Sequence, residues 1–283
     1  PTLKHHRSIV NFIFVFPLLF TFVVTVIIPL CLGVFYSFTD WNGIKMTGFV
    51  GFTNYKAMFN EPSFLWSLII TILFVVLNMV LVNVVAFMLA LLCTSKVKGL
   101  SFFRASYFLP NLIGGIVLGY IWQILINCVL SIVGQPLLAL NSSAGYWGLI
   151  ILMCWQQIGY MMIVYIAGLQ AIPGDIQEAA MIDGATRMQR LFKITIPNMM
   201  PSITICTFLT ITNSFKLFDQ NLSLTAGEPS KMSEMMALNI FNTFYGRTGW
   251  EGVGQAKAVI FFAIVVVIGM IQLRATRSKE VQQ

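Results

Sequence analysis

Charged positions in this chain gather in clusters separated by long apolar runs, too long for the core helices of a soluble domain. A helix needs about 20 apolar residues to cross ~30 Å of hydrocarbon. No Asp, Glu, Lys or Arg stands between Arg7 and Asp40, or between Glu61 and Lys96, so each stretch fits one span. The run from Ala105 to Gly174 is equally free of charge and long enough for two. Turn formers at Gln135-Pro136 and at Asn141-Ser142-Ser143-Ala144-Gly145 mark the divider between them. A fifth candidate covers 201–218. The sixth, 257–274, is short, but its flanking Lys257 and Arg274 can snorkel to the interfaces. The pattern predicts an all-α, polytopic transmembrane helical bundle of about six spans in a single domain, residues 1–283. The spans fall at about 9–38, 63–94, 105–127, 146–170, 201–218 and 257–274.

Three segments lie between spans. Residues 40–61 open with Asp40-Trp41-Asn42-Gly43 and are rich in Gly, Asn and aromatics. Residues 219–256 carry turn signals at Gly227-Glu228-Pro229 and Tyr245-Gly246-Arg247-Thr248-Gly249, with a short interfacial helix expected over Met232 to Phe244. Residues 171–200 are the most informative. Pro173-Gly174 should end the fourth span. Asp175 followed three residues later by Glu178 is a variant of a helix-starting box. Gln177 to Met181 are good helix formers, and Gly184 suits the left-handed conformation that stops a helix. Thr186 is placed to cap a second short helix running to Lys193, and Pro197 and Pro201 mark the return to the membrane. The expected object is an elbow of two short helices on one face of the membrane.

Composition agrees with the span count and charge supplies an orientation. The chain is 58% hydrophobic and 10% charged, with a mean hydropathy of +0.84, against roughly 25% charged residues in soluble domains. With six spans, 11 of the 17 basic residues fall on the side of the termini and of segment 171–200. The positive-inside rule then makes both termini and that segment cytoplasmic, and makes 40–61 and 219–256 outer segments. The net charge of +7 is a topology signal, and nucleic-acid binding has no support. The first apolar run is too long for a signal peptide and lacks a small-residue cleavage site, so it is expected to stay as an anchor.

Few residues offer chemistry. Cys31, Cys93, Cys128, Cys154 and Cys206 sit in apolar stretches without metal-ligand spacing and read as small buried hydrophobes. His5 and His6 read as a solvated tail, so no metal site is expected. No nucleophile–base pair or HExxH appears, which excludes the familiar hydrolytic enzymes. Well inside the second, third, fourth and sixth spans there is no Asp, Glu or His, which argues against a proton-relay carrier. Polar and aromatic residues at membrane depth must find partners or line a path. The candidates are Tyr120, Trp122 and Gln123 on the third span, Trp155, Gln156 and Tyr160 on the fourth, and Asn213, Ser214, Lys216 and Asp219 at the fifth. Aromatic faces with amide and carboxylate groups suit a sugar, although helix packing and interfacial belts use the same residue types. Lys216 and Asp219, three apart, could equally pair with one another.

Segment 171–200 resembles the "EAA" loop of importer permeases in the ABC superfamily. Glu178-Ala179-Ala180 is followed at the family spacings by Gly184, Ile194 and Pro197, with Ile196 where Leu is usual. Glu178 to Ala185 is similar to the carbohydrate branch. So are Ser37-Phe38-Thr39-Asp40-Trp41, Phe49-Val50-Gly51-Phe52-Thr53-Asn54-Tyr55, Phe108-Leu109-Pro110 and Leu224-Thr225-Ala226-Gly227. The resemblance implies a multi-pass subunit of a bacterial cytoplasmic membrane that forms a translocation path with a second, homologous permease. A sugar would arrive on an extracellular solute-binding protein. The elbow would dock in a cytoplasmic ATPase dimer through Glu178, Ala179, Ala180, Asp183 and Gly184. No GxxxxGK[ST] phosphate loop is present, so ATP and Mg would belong to the partner ATPase, with no cofactor on this chain.

Overall fold

The computed structural model describes residues 2–94 and 99–278, residues 2–11 in backbone only. Lys96, Lys98, Lys279 and Glu280, and the side chains of Lys4, His5, His6 and Arg7, therefore lie outside the described residues. Among the described residues all regular structure is helical, save an isolated bridge between Thr39 and Phe49. Five helices are long and apolar enough to cross a membrane: Phe12–Tyr36, Pro62–Cys93, Gly115–Ile132, Ser142–Ala171 and Glu251–Arg277. A bent pair, Arg187–Asn198 and Met200–Phe215 at 69°, makes up to six.

In chain order the helices are α1 (Thr2–Phe22), α2 (Ile28–Tyr36), α3 (Thr53–Phe59), α4 (Pro62–Cys93), α5 (Leu100–Phe108), α6 (Gly115–Ile132) and α7 (Ser142–Ala171). There follow α8 (Gly174–Ile182), α9 (Arg187–Arg190), α10 (Ile196–Asn198), α11 (Met200–Phe215), α12 (Asp219–Leu224), α13 (Met236–Gly246) and α14 (Glu251–Arg277). A π turn at Val23–Ile27 joins α1 to α2 without breaking the span. There the Thr21 and Thr25 hydroxyls bond back to the carbonyls of Pro17 and Thr21, which satisfies them in an apolar helix.

Several boundaries differ from the sequence reading. The third span begins at Gly115, ten residues later than its charge-free run suggests, because Pro110 and the Gly114-Gly115 pair break the helix first. The short helix expected over Met232 to Phe244 is Met236–Gly246. Lys257 does not snorkel: it lies one and a half turns inside α14 and is fully buried. Cys31 and Cys128 are exposed on apolar helix surfaces, unlike Cys93 and Cys206. The divider before the fourth span is where turn chemistry puts it, with Asn141 capping α7 through the Ala144 amide at 3.0 Å.

Contacts group the chain into two compact units. The first is residues 1–61 with 240–261. The loop after α2 is tied by the Asn54 amide, which donates to the carbonyls of Ser37 (2.9 Å) and Thr39 (2.8 Å). Asp40 accepts from the Thr47 hydroxyl and from the amides of Thr47 and Gly48, 2.9 and 2.7 Å away. Those bonds, the Thr47 hydroxyl foremost, hold its carboxyl below the ordinary carboxylate pKa. Glu61 takes Lys257 Nζ at 2.6 Å and an Arg247 nitrogen at 2.8 Å.

The second unit, residues 62–239 with 262–283, has α4, α7 and α11 at its centre. Two polar layers tie these three helices. Asn78 donates to the Ser214 hydroxyl at 2.8 Å and accepts from Cys154. Asn83 accepts from Tyr165 at 2.7 Å and donates to Thr210 at 3.3 Å. Such bonds average only ~0.6 kcal/mol in a bilayer, so they register the helices while apolar packing holds them. Glycine permits the closest approaches. A Cβ at Gly159 would lie 1.8 Å from the Tyr107 carbonyl oxygen, and one at Gly119 would lie 1.8 Å from Ser223 Oγ. Gly115 and Gly119, one turn apart, thereby seat α12 against α6.

Candidate functional site

Two places in the second unit combine exposed chemistry with a built geometry. The first is the elbow. The helix α8 begins at Gly174 behind Pro173, with no side-chain cap from Asp175. It ends in a Schellman turn: Gly184 has φ +77°, its amide bonds the Met181 carbonyl (3.1 Å), and the Ala185 amide bonds the Ala180 carbonyl (3.0 Å). Thr186 then opens α9 with a reciprocal capping box to Gln189, as its position in the sequence predicts. The Gln177 amide reaches across to the Thr195 hydroxyl at 3.1 Å, pinning α8 to the helix that returns to the membrane.

The elbow's surface combines charged and apolar side chains. Glu178, Ala179 and Asp183 are exposed, and Ala180 packs inward at 8% exposure. Beside them Met181, Ile182, Met188 and Phe192 are exposed, Ile182 to 87%. Apolar side chains thus lie together on the exposed face of a two-helix turn, next to a carboxylate.

The second place is a polar cavity of about 270 Å³ lined by Asn111, Met153, Gln156, Gln157, Asn213, Lys216, Phe218, Asp219 and Gln220. The helix α7 supplies Met153, Gln156 and Gln157, while Asn213 stands near the end of α11 and Lys216 just beyond it. Asp219 and Gln220 come from the first turn of α12, and Asn111 from a 3-10 turn over Leu109–Leu112. Gln156 is held at both ends, accepting from Gln220 at 2.8 Å and donating to the Ile113 carbonyl at 3.3 Å. Lys216 and Asp219 form no ion pair with each other among the described residues, so the pairing the sequence allows is not made.

The cavity thus brings together Gln156, Asn213, Lys216 and Asp219 from the sequence candidates. The others go elsewhere. Ser214 is fully buried, bonded to Asn78 and to the Thr210 carbonyl. Gln123 donates to the Leu224 carbonyl at 3.0 Å. Trp122 stacks edge-on against Trp155, ring centres 5.6 Å apart, and lines a separate, wholly apolar groove with Trp147. Tyr120 is exposed on α6, and Tyr160 packs against Phe108 at 6.5 Å. Sequence reading missed the lining residues Asn111, Met153, Gln157, Phe218 and Gln220. Of these, Gln157 carried a signal, a second amide beside Gln156 in an otherwise apolar span.

Comparison with known proteins agrees with this architecture. A family model described as "Binding-protein-dependent transport system inner membrane component" matches residues 56–278. A probable starch degradation products transport system permease of Thermoanaerobacterium thermosulfurigenes is 42% identical over 277 residues, 95% of this chain and 94% of that protein. A multiple sugar-binding transport system permease of Streptococcus mutans is 30% identical over 266 residues, 89% of this chain and 90% of its own length. Among solved structures, a bacterial ABC transporter involved in the import of the acidic polysaccharide alginate has a chain similar at a TM-score of 0.82. That likeness covers 97% of both chains at 18% identity and is one of fold. On the family match and these relatives, the chain belongs to the binding-protein-dependent transport system inner membrane components, a family of transport permease subunits.

Proposed function

We propose that this chain is one of two permease subunits of an ATP-driven importer for a sugar or oligosaccharide. An extracellular binding protein delivers the sugar, and separate cytoplasmic ATPase subunits supply the energy. The elbow carries this reading. Its helix–Schellman–capped-helix geometry presents Glu178 and Ala179 beside exposed Met181, Ile182 and Met188, a surface shaped to fit a cleft in another protein. Asp183 and Gly184 set the turn between the two helices. In this reading both termini are cytoplasmic, ATP and Mg are held by the ATPase, and this chain performs no chemistry of its own. The polar cavity, with Gln156, Asn213, Lys216 and Asp219, is the part of the sugar path that this subunit contributes. Relatives named for starch products and multiple sugars support the substrate class. A second solved neighbour, an alginate transporter in complex with a pentasaccharide-bound periplasmic protein, supports delivery by a binding protein.

The test is to co-express the chain with its genomic neighbours, purify through a tag on this subunit, and assay ATP hydrolysis in nanodiscs. The expected result is co-purification of an ATPase and a second permease, with ATP turnover that rises with sugar-loaded binding protein. Glu178→Ala should uncouple that stimulation or loosen the ATPase. Purification of a lone chain that moves solute without ATP would overturn the proposal.

A further inference from the structure

The inner wall of the polar cavity holds a side chain whose hydrogen bonding the protein leaves unfinished. Gln157 is 4% exposed, yet neither its amide nitrogen nor its carbonyl oxygen has a partner among the described residues. Its neighbour Gln156 is bonded at both ends. Of the other buried amides of this unit, Asn78 and Asn221 are each bonded at both their nitrogen and their oxygen, and Asn239 donates to Ser63 and Glu234. A dry, open amide is costly, and in a membrane helix Leu would fill the same volume without that cost. Gln157 is left open where it borders the polar cavity.

We propose that Gln157 is a specificity-determining residue whose amide reads a hydroxyl group of an uncharged sugar in this cavity. A hydroxyl both donates and accepts, so one or two of them satisfy both ends of an amide. The charge in the cavity fits the same class. Among the described residues that line it, Lys216 and Asp219 alone are charged, one of each sign. An anionic glycan or a phosphate ester would meet the Asp219 carboxylate with no second cation to offset it. This inference rests on the reading of the cavity as the sugar path.

The experiment uses the whole importer in liposomes with its binding protein, and maltotriose as probe, a product of starch breakdown. Maximal uptake rate and thermal stability without sugar are measured for wild type, Gln157→Leu, Gln157→Glu, and two other lining variants, Gln156→Leu and Asn213→Leu. Gln157→Leu is expected to keep or raise the melting temperature and to lower uptake about tenfold, the upper worth of one neutral hydrogen bond. Among singly deoxygenated maltotrioses, wild type should reject one position about tenfold, and Gln157→Leu should no longer distinguish it. Wild type should also prefer maltotriose over its terminally carboxylated analogue, and Gln157→Glu should widen that preference. Unchanged uptake in Gln157→Leu, with losses in Gln156→Leu and Asn213→Leu, would assign water as the amide's partner and overturn the inference while leaving the sugar path intact. A melting temperature lowered by Gln157→Leu would mean a partner within the protein, and also overturns it. Unchanged uptake in all four variants would sink the sugar-path reading itself.

Discussion

Substituting Lys257 by Met removes a cation that sits fully buried, 2.6 Å from Glu61 and 2.7 Å from the Thr243 hydroxyl. Removing one partner of a buried ion pair costs about 3–5 kcal/mol, because the remaining charge stays desolvated. The two single substitutions are not equivalent here. After Lys257→Met, Glu61 keeps Arg247 at 2.8 Å, whose side chain is 34% exposed and well placed to share the charge. The cost should then lie near the lower bound, about 3 kcal/mol. Glu61→Leu instead takes the carboxylate from an ammonium with no solvent contact, and should approach the upper bound of about 5 kcal/mol. The double variant Glu61→Leu/Lys257→Met buries no charge and should be more stable than either single one. A suitable assay is SDS titration of the assembled complex in mixed micelles. The reporter is the fluorescence component that Trp41→Phe abolishes, since Trp41 stacks on Tyr36 with ring centres 4.6 Å apart. Single effects that add in the double variant to within about 0.5 kcal/mol would show that the two residues do not act as a pair, and would refute this account.

Three further outcomes follow from close contacts and local bonds. Gly159→Ala should destabilise the complex by about 1–3 kcal/mol, since the new Cβ meets the Tyr107 carbonyl backbone and forces α5 away from α7; an unchanged melting temperature would contradict that packing. Asn221 is fully buried and bonds the Thr225 hydroxyl, the Ser233 carbonyl and the Met235 amide, so Asn221→Leu leaves polar backbone dry at about 1–3 kcal/mol per group. Faster trypsin cleavage at Lys231 is the expected sign, and wild-type resistance would count against it. For Asp40, a folded pKa below the ordinary value means that its bonds to Thr47 and Gly48 are fully present above that value and are lost as pH falls through the depressed one. The Trp41 signal should therefore stay constant through the ordinary carboxylate range and change only below it, and Asp40→Asn should abolish the change.

How much of this was legible in the sequence depends on whether a feature is local. Span count, the divider at Asn141 and the elbow's Thr186 cap and left-handed Gly184 all rest on neighbouring residues, and they stand where spacing and turn chemistry put them. The start of the third span did not, because an absence of charge carries no information about Pro110 and Gly114-Gly115 as helix breakers. Lys257 misled for another reason: snorkelling is the default for a cation near a span end, and its partner Glu61 lies 196 residues away. The cavity shows the same limit. Asn213 and Ser214 are adjacent on α11, yet one lines the cavity and the other is bonded to Asn78 on α4. Only the direction each side chain takes around the helix separates them, roughly 100° per residue.

That angular bookkeeping also bears on how the elbow and the cavity are joined. The segment from Arg187 to Phe215 is helical apart from one 69° bend, at Met199. Its elbow end is pinned to α8 by Gln177 and Thr195, and Asn213 near its far end lines the cavity. The stretch from Met200 to Phe215 spans about 24 Å at 1.5 Å per residue, so a tilt of the elbow about the bend would be delivered to the cavity as a displacement, provided α11 moves as a rod. The polar layers decide whether it does. Thr210 and Ser214 bond α11 to Asn83 and Asn78 of α4 in its last two turns, while near its start the Cys206 thiol reaches the Met161 carbonyl of α7 and the Gln272 amide of α14 donates to the Thr204 carbonyl at 3.3 Å. The helix is therefore registered at both ends, to α7 and α14 near the bend and to α4 at the cavity, so a displacement of its cavity end loads the bonds to Asn78 and Asn83.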